Sequence, residues 1–134
     1  MLTNIGFWLA ISAAVPNCPD PRVWVESPNA RSSQADRLKW RQRFHDAMGS
    51  LGMGRDARAV ADAIALNESR YDACSVHILG PSEYGLGMVG LMVRWHRSKW
   101  DKAAPTWLFH LPEHSAVVMA RFMRRSVRRR RPSR

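Results

Sequence analysis

The spacing of apolar residues between positions 36 and 64 constrains the fold of this chain more than any other feature. From Asp36 to Leu51 the apolar side chains recur at i, i+4, i+7, i+8 and i+11, which places them on one face of a helix: Trp40, Phe44, Ala47, Met48 and Leu51. Ser33, three residues before Asp36, resembles a capping box at the start of this helix. The glycines of GSLGMG at 49–54 predict its end.

A second predicted helix begins near Arg55 and ends in a glutamate, Glu68. Its apolar face is formed by Ala57, Val60, Ala61 and Ile64, and four residues beyond Ile64 the same face reaches Glu68. We therefore expect this carboxyl group to point toward the core side. A carboxyl group held against apolar atoms at the negative end of a helix keeps its proton more readily, as a general acid requires. A local role, with Arg70 as the partner, is the alternative interpretation.

The segment GPSEYGLGMVGLM (80–92) carries four glycines, which predicts a tight loop whose backbone packs closely against another part of the protein or against a ligand. A shorter helix is predicted around Leu91–Trp100 and a last one over Pro112–Arg128. Proline is tolerated in the first turn of that last helix, and its apolar residues include Val118, Met119, Phe122, Met123 and Val127. No segment alternates with period two, so the predicted fold class is all-α, mainly helical, with about four helices.

The length of 134 residues fits one compact domain. Residues 1–15 contain an apolar run too short to span a bilayer, which is typical of an export signal or of an apolar arm that packs on the domain. Residues 16–35 are proline-rich and predict a linker with a short strand at Val23–Val25. The folded domain is expected over 36–125, with an Arg-rich tail over 126–134.

The net charge of +10 is concentrated at the carboxyl end, where residues 121–134 hold eight arginines and no acid. Such a run predicts binding to a polyanion: nucleic acid, anionic lipid or the acidic polymers of a bacterial wall. A solvated tail that aids solubility is the alternative.

Two further patterns concern the cysteines and a metal motif. Cys18 and Cys74 could form one disulfide that ties the N-terminal segment to the loop after Glu68, or remain two free thiols.

The string HLPEH (110–114) superficially fits a zinc-binding pattern. Because Pro112 is expected to start a helix, His110 should lie outside it, and we predict neither a metal nor a cofactor.

Three segments resemble a known family when taken together. NESRYDACSV, GLGMVGLM and PEHSAVVMARFMRR follow one another over about residues 55–125. They are similar, in the same order, to the motifs of soluble lytic transglycosylase-type, lysozyme-like domains. In that family a helix ends in Glu-Ser, a glycine-rich segment ends in Gly-Leu-Met, and a Pro-Glu-led helix closes the domain. The resemblance implies a lysozyme-like helical domain with a glycine-rich active-site loop.

The resemblance also implies roles for individual residues. Glu68 matches the catalytic acid/base, Tyr71 the aromatic residue that packs the turn, and Gly90 part of the sugar cleft. Together with a proposed sugar-stacking role for Tyr84, it predicts the substrate-binding residues Ser69, His77, Tyr84, Gly90, Leu91 and Met92. Trp95, Trp100 and Trp107 could also stack on sugar rings, although most of the tryptophans are expected in the core. The chain departs from the family at Val93, His77 and Phe122, where Gln, Ser and Tyr are usual.

The function implied is cleavage of peptidoglycan between N-acetylmuramic acid and N-acetylglucosamine by a single glutamate. The expected partners are peptidoglycan glycan strands and, through the Arg-rich tail, an anionic wall polymer or membrane surface. We expect a monomer that is exported to the periplasm or the outside, or that belongs to a phage. Two alternatives are a lysozyme-like domain that binds glycan without cutting it and a basic nucleic-acid-binding protein.

Overall fold

The structure, a computed structural model, describes residues 15–20, 32–81 and 83–130; the side chains of 79 and 126–130 are not included. This part of the chain contains five helices and one small sheet. The helices are α1 (Gln34–Ser50), α2 (Arg55–Ser69), α3 (Val93–Lys99), α4 (Thr106–Phe109) and α5 (Pro112–Arg130). The strands are β1 (Val76–Gly80), β2 (Glu83–Leu86) and β3 (Leu91–Met92).

The first helix forms as its sequence predicts. The Ser33 side chain accepts a 3.1 Å hydrogen bond from the Asp36 backbone N–H, which satisfies one free donor at the start of α1. Trp40, Phe44 and Met48 are buried on one face. That face packs mainly against α5, and together the two helices form the largest helix–helix contact of the domain.

The last helix begins at Pro112, in agreement with the prediction, and runs to Arg130. A bidentate ion pair fixes its first turn to α1: the guanidinium nitrogens of Arg43 lie 2.7 and 2.8 Å from the two carboxylate oxygens of Glu113. Val118 and Met119 are buried, as expected, whereas Phe122 is 56% exposed, so its predicted place on the apolar face is wrong. The side chain of Val127 lies outside the described residues.

The glycine-rich segment differs from the all-α prediction. Strands β1, β2 and β3 form an antiparallel sheet in the order β1-β2-β3, so the predicted loop over 80–92 is instead a hairpin followed by a tight turn. The turn at 87–90 depends on glycine. A Cβ atom at Gly87 would lie 2.0 Å from the carbonyl oxygen of Phe109, and the φ of Gly87 is +84°. The mainly helical class is confirmed, with this sheet added to it.

One disulfide joins Cys18 to Cys74 and therefore ties the N-terminal segment to the loop after α2. The buried carboxylate of Asp72 adds to this attachment by accepting hydrogen bonds from the backbone N–H and the hydroxyl of Ser32, at 3.1 and 2.8 Å. Residues 16–20 and 32–33 of the predicted linker are thus held on the domain. The predicted apolar run over 5–15, apart from Val15, and the predicted strand Val23–Val25 lie outside the described residues.

Candidate active site

Glu68 lies in the last turn of α2, and the chain reverses direction immediately after it. Arg70 and Tyr71 both adopt the left-handed conformation, with φ of 53° and 66°. The Arg70 N–H donates to the Leu66 carbonyl and the Tyr71 N–H to the Ala65 carbonyl, a pairing that satisfies the last carbonyl groups of the helix. Two residues other than glycine with positive φ cost free energy, so the surrounding contacts must hold this turn in place.

Ser69 provides one of those contacts. Its hydroxyl donates a 2.7 Å hydrogen bond to the carbonyl oxygen of Met88 in the turn between β2 and β3, and it accepts a bond from the Asp72 N–H at 3.1 Å. The end of α2 is thereby fixed to the glycine turn. Since the predicted sugar contact of Ser69 would need this hydroxyl, its observed bonds indicate a positioning role.

The carboxyl group of Glu68 lies over Gly90. A Cβ atom built at Gly90 would be 3.3 Å from Oε2 of Glu68, and the φ of Gly90 is +63°. The absence of a side chain at position 90 therefore leaves the space that the carboxyl group uses.

His77 borders the same glycine from β1. Its Cδ2 atom lies 3.6 Å from the Cβ position of Gly90, and its Nε2 atom is 2.8 Å from the backbone carbonyl oxygen of Glu68. Because a carbonyl only accepts, Nε2 carries the proton and donates it in this bond. His77 thus steadies the last turn of α2 and lies beside Glu68.

The register of the sheet separates the remaining predicted site residues into two groups. Opposite residues in an antiparallel pair share a face, so His77, Gly85 and Met92 form one row across the sheet. Leu86 and Leu91 are paired on the other face and are buried in the core. Met92 is exposed, on the face of His77.

Tyr84 belongs to the core face. It stands two residues from Leu86 on β2, and side chains two residues apart in a strand point the same way. It packs against the hydrophobic core. The structure therefore brings Glu68, His77 and Gly90 together and leaves Tyr84 and Leu91 on the opposite face of the sheet, away from this group.

The prediction that Glu68 points toward the core side is wrong, because its side chain is exposed. The buried residues of α2 are Ala61, which the sequence pattern placed on the apolar face, and Ala65, which lies one residue beyond Ile64. One residue corresponds to about 100° of rotation around a helix, so Val60 and Glu68 turn outward. Val60 is 54% exposed.

That outward row lines a shallow, open surface region along α2, which we call the groove, with about 1050 Å³ of space. Its lining residues all come from α2 and the residue after it: Val60, Ala63, Ile64, Leu66, Asn67, Glu68 and Arg70. Sequence reasoning missed Asn67 as a site residue and treated Arg70 only as an ion-pair partner. In the described part of the chain Glu68 forms no ion pair with Arg70.

A hydrolase would need a second carboxylate, for which the sequence offers Asp72 and Glu83, and both are bonded to protein groups. Asp72 is buried and accepts three hydrogen bonds, two from Ser32 and one from the Cys74 N–H at 2.9 Å. Glu83 forms an ion pair with Arg94 at 3.2 Å. Asp72 is therefore a structural carboxylate of the N-terminal attachment.

Tyr71 packs the turn after Glu68 through a polar cluster around Asp62. The Asp62 carboxylate accepts from the Tyr71 hydroxyl at 3.0 Å, lies 2.6 Å from His45 Nε2, and pairs with Arg41 at 3.1 Å. Burial opposes ionisation of Asp62, but the bonds from His45, Tyr71 and Arg41 outweigh it and lower its pKa. Burial, and then the bond to Asp62, raises the pKa of Tyr71.

Pro112 begins the last helix and separates His110 from Glu113 and His114 of the HLPEH string, as the sequence predicts. His110 lies between α4 and α5, and its Nδ1–H donates to the Ala73 carbonyl at 2.8 Å. Burial lowers the pKa of His110. Among the described residues, no three His, Cys, Asp or Glu side chains are grouped as metal ligands.

No helix in residues 15–20, 32–81 and 83–130 is both long and apolar enough to cross a bilayer. Comparison of the chain with protein-family models, curated proteins and solved structures finds no match.

Proposed function

We propose that this chain is a peptidoglycan-cleaving lytic transglycosylase in which Glu68 is the general acid and base. The observation that carries the proposal is the position of its carboxyl group, over Gly90 and at the edge of an open groove. The groove offers an exposed apolar strip beside the carboxyl group, which suits the apolar face of a sugar ring.

The reaction uses one carboxyl group twice. Glu68 donates its proton to the glycosidic oxygen between N-acetylmuramic acid and N-acetylglucosamine as the C1–O bond breaks, and positive charge develops at C1. The resulting Glu68 carboxylate removes the proton of the C6 hydroxyl of the same muramic residue. The C6 oxygen then bonds to C1, which leaves a 1,6-anhydro end and regenerates the acid.

The surroundings of Glu68 support this single-acid chemistry. Glycosidases that hydrolyse usually have a second carboxylate about 5–9.5 Å from the first. The two candidates for this second carboxylate, Asp72 and Glu83, are engaged with Ser32 and Arg94. The transglycosylase reaction needs neither of them, because the nucleophile is the sugar's own hydroxyl.

Because Glu68 is exposed in the free protein, the bound substrate itself would have to shelter the carboxyl group from water. A glycan strand lying in the groove would cover the carboxyl group and exclude water from it, and this favours the protonated form that the first step requires. Ser69 and His77 hold the end of α2 through Met88 and the Glu68 carbonyl, so the acid would meet the strand in a fixed position.

The variant Glu68→Gln tests the proposal, because it keeps the size of the side chain and removes the transferable proton. It is expected to abolish clearance of purified sacculi while the thermal unfolding temperature changes little. Glu83→Gln is the matched control and should clear sacculi at close to the rate of the original protein. Clearance by Glu68→Gln would refute the assignment.

A second candidate function is a lysozyme-like domain that binds glycan without cutting it. Two observations favour it: the exposure of Glu68, and Val93, which stands where the family usually has Gln and packs against the core. A protein of this kind would sediment with sacculi and release no fragment from them. Fragment release that depends on Glu68 would exclude it.

The Arg-rich end supplies the proposed second contact, with an anionic wall polymer or membrane surface outside the cytoplasm. Arg121, Arg124 and Arg125 are exposed on α5 and begin this basic run. Truncation after Arg125 should weaken binding to sacculi that carry anionic polymer more than binding to stripped sacculi. A basic nucleic-acid-binding protein would instead bind DNA with a steep salt dependence and leave sacculi unchanged.

A further inference from the structure

A second cavity, of about 450 Å³, lies between α3, α4 and α5. Its lining residues are His96, Trp100, Asp101, Pro105, Trp107, Leu108, His114, Val117 and Arg121. None of them lines the groove beside Glu68. The volume falls within the range of small-molecule sites, about 300–1,000 Å³.

The two tryptophans of this cavity differ in their surroundings. The ring of Trp100 is covered by the guanidinium groups of Arg121 and Arg125, at 5.4 and 5.9 Å, and meets Trp95 edge-on. Trp107 is 37% exposed and is not part of the hydrophobic core. Trp107 is therefore the indole ring on which a ligand can stack.

The interior of the cavity is polar but uncharged. His96 is 3% exposed, and its Nδ1 atom has no hydrogen-bond partner among the described residues. Its ring meets that of His114 edge-on, with centroids 4.9 Å apart. Burial lowers the pKa of His96 and lowers that of His114 to about 3, so both rings are neutral near pH 7. The two rings therefore form a neutral wall of the cavity.

The exposed charges of the cavity lining have opposite signs. Asp101 and Arg121 both line it, so an anion would meet the carboxylate and a cation the guanidinium. A neutral ligand with both donors and acceptors can use the two groups together. Pro105, Leu108 and Val117 form apolar walls, and these favour a ligand that also has a face made of C–H groups.

We propose that this cavity binds one pyranose ring of a neutral glycan, stacked on Trp107, as an anchoring site separate from the groove of Glu68. A pyranose has a C–H face for the indole and hydroxyl groups for Asp101 and Arg121. The choice of ligand class rests on the proposed function, whereas the cavity and its lining do not. Two contact points on one strand would hold it more tightly than either alone.

A titration of the Glu68→Gln protein with the tetrasaccharide of N-acetylglucosamine tests this site, since the variant prevents turnover. The indole N–H signal of Trp107 in a nitrogen–proton NMR spectrum should shift with saturation. Trp107→Ala in the same background should raise the Kd at least about fivefold, as expected from the loss of an aromatic contact. Phe122→Ala is the control, because Phe122 is also an exposed aromatic residue but lines neither cavity, and it should change the Kd less than twofold.

An unshifted Trp107 signal, an unchanged Kd in Trp107→Ala, or tighter binding of phenol than of the sugar would overturn the inference. The result is separable from the proposed cleavage. A sugar-dependent shift at Trp107 in a protein that releases nothing from sacculi supports the cavity and contradicts the transglycosylase. Cleavage that depends on Glu68, without any shift at Trp107, supports the transglycosylase and contradicts the sugar site in the cavity.

Discussion

The hydroxyl of Ser69 lies 2.7 Å from the carbonyl oxygen of Met88, and this hydrogen bond fastens the helix that carries Glu68 to the turn that carries Gly90. The two sides of the candidate site come from segments about twenty residues apart in sequence. Their relative position depends on few contacts, so each contact is open to a direct test.

Replacing Ser69 by Ala should loosen this attachment. The change leaves the Met88 carbonyl without its hydroxyl donor, whereas the Asp72 N–H keeps a 3.2 Å bond to the Ser69 backbone carbonyl. The free energy of unfolding is expected to fall by about 1 kcal/mol. Activity on sacculi should fall further than stability alone explains, because Glu68 is no longer held against the turn. Urea unfolding and clearance rates measure the two effects. Ser98→Ala, at an exposed position on α3, should change neither.

Gly90→Ala tests the space over which the Glu68 carboxyl group lies. The added Cβ would stand 3.3 Å from Oε2 at a left-handed φ, so we expect a loss of about 1 kcal/mol in stability and a displaced carboxyl group. Gly80→Ala is the control, since a Cβ there meets nothing within 4 Å. If both variants clear sacculi like the original protein, the carboxyl group does not act from this position.

Removing the Cys18–Cys74 disulfide should destabilise the whole domain. The bridge spans 56 residues, and the loss of a native disulfide from a small domain typically costs about 2–5 kcal/mol. The double variant Cys18→Ser, Cys74→Ser is expected to unfold at lower temperature, and a reducing agent should lower the unfolding temperature of the original protein but not of the variant. Equal sensitivity of both proteins to reduction would contradict the assigned bridge.

Stability should fall as the solution becomes acidic, beginning near pH 6.5. Burial lowers the pKa of His114 to about 3, whereas an unfolded histidine titrates near 6.5. Between these values the unfolded chain binds a proton that the folded chain does not, so stability decreases as pH falls through the window, by at most about 1.4 kcal/mol per pH unit for one group.

The variant His114→Leu isolates this contribution. The difference in unfolding free energy between pH 7 and pH 4.5, measured with urea, should be smaller in the variant than in the original protein. His96 and His110 also have lowered pKa values and remain in both proteins, so part of the dependence is retained. An identical pH dependence in the two proteins would show that His114 does not titrate as its burial requires.

The sequence predicts four of the five helices in the described residues because each of the four carries an apolar repeat or a distinct end. It does not predict α4, which has only four residues and therefore no repeat. Trp40, Phe44 and Met48 recur over three turns, and Pro112 marks the start of α5. The sheet lacks such a signal. Its strands span five, four and two residues, and the buried position 85 is a glycine, so period-two alternation has too few residues to show.

The candidate site was predictable in part. The motif resemblance selects Glu68, His77 and Gly90, and the structure brings these three together. The orientation of Glu68 was not predictable, because one row of α2 holds Val60 and Ile64 and the adjacent row holds Ala61 and Ala65. All four are apolar, and hydrophobicity alone cannot choose between adjacent rows. Tyr84 was misplaced because its face depends on the register of a sheet that the pattern did not reveal.

Mass spectrometry of the fragments released from purified sacculi tests the central claim most directly, because it reads the chemistry of the new chain end. The proposed mechanism predicts muramic residues with 1,6-anhydro ends from the original protein and no fragments from Glu68→Gln. Reducing ends, or an unchanged fragment pattern in Glu68→Gln, would contradict it.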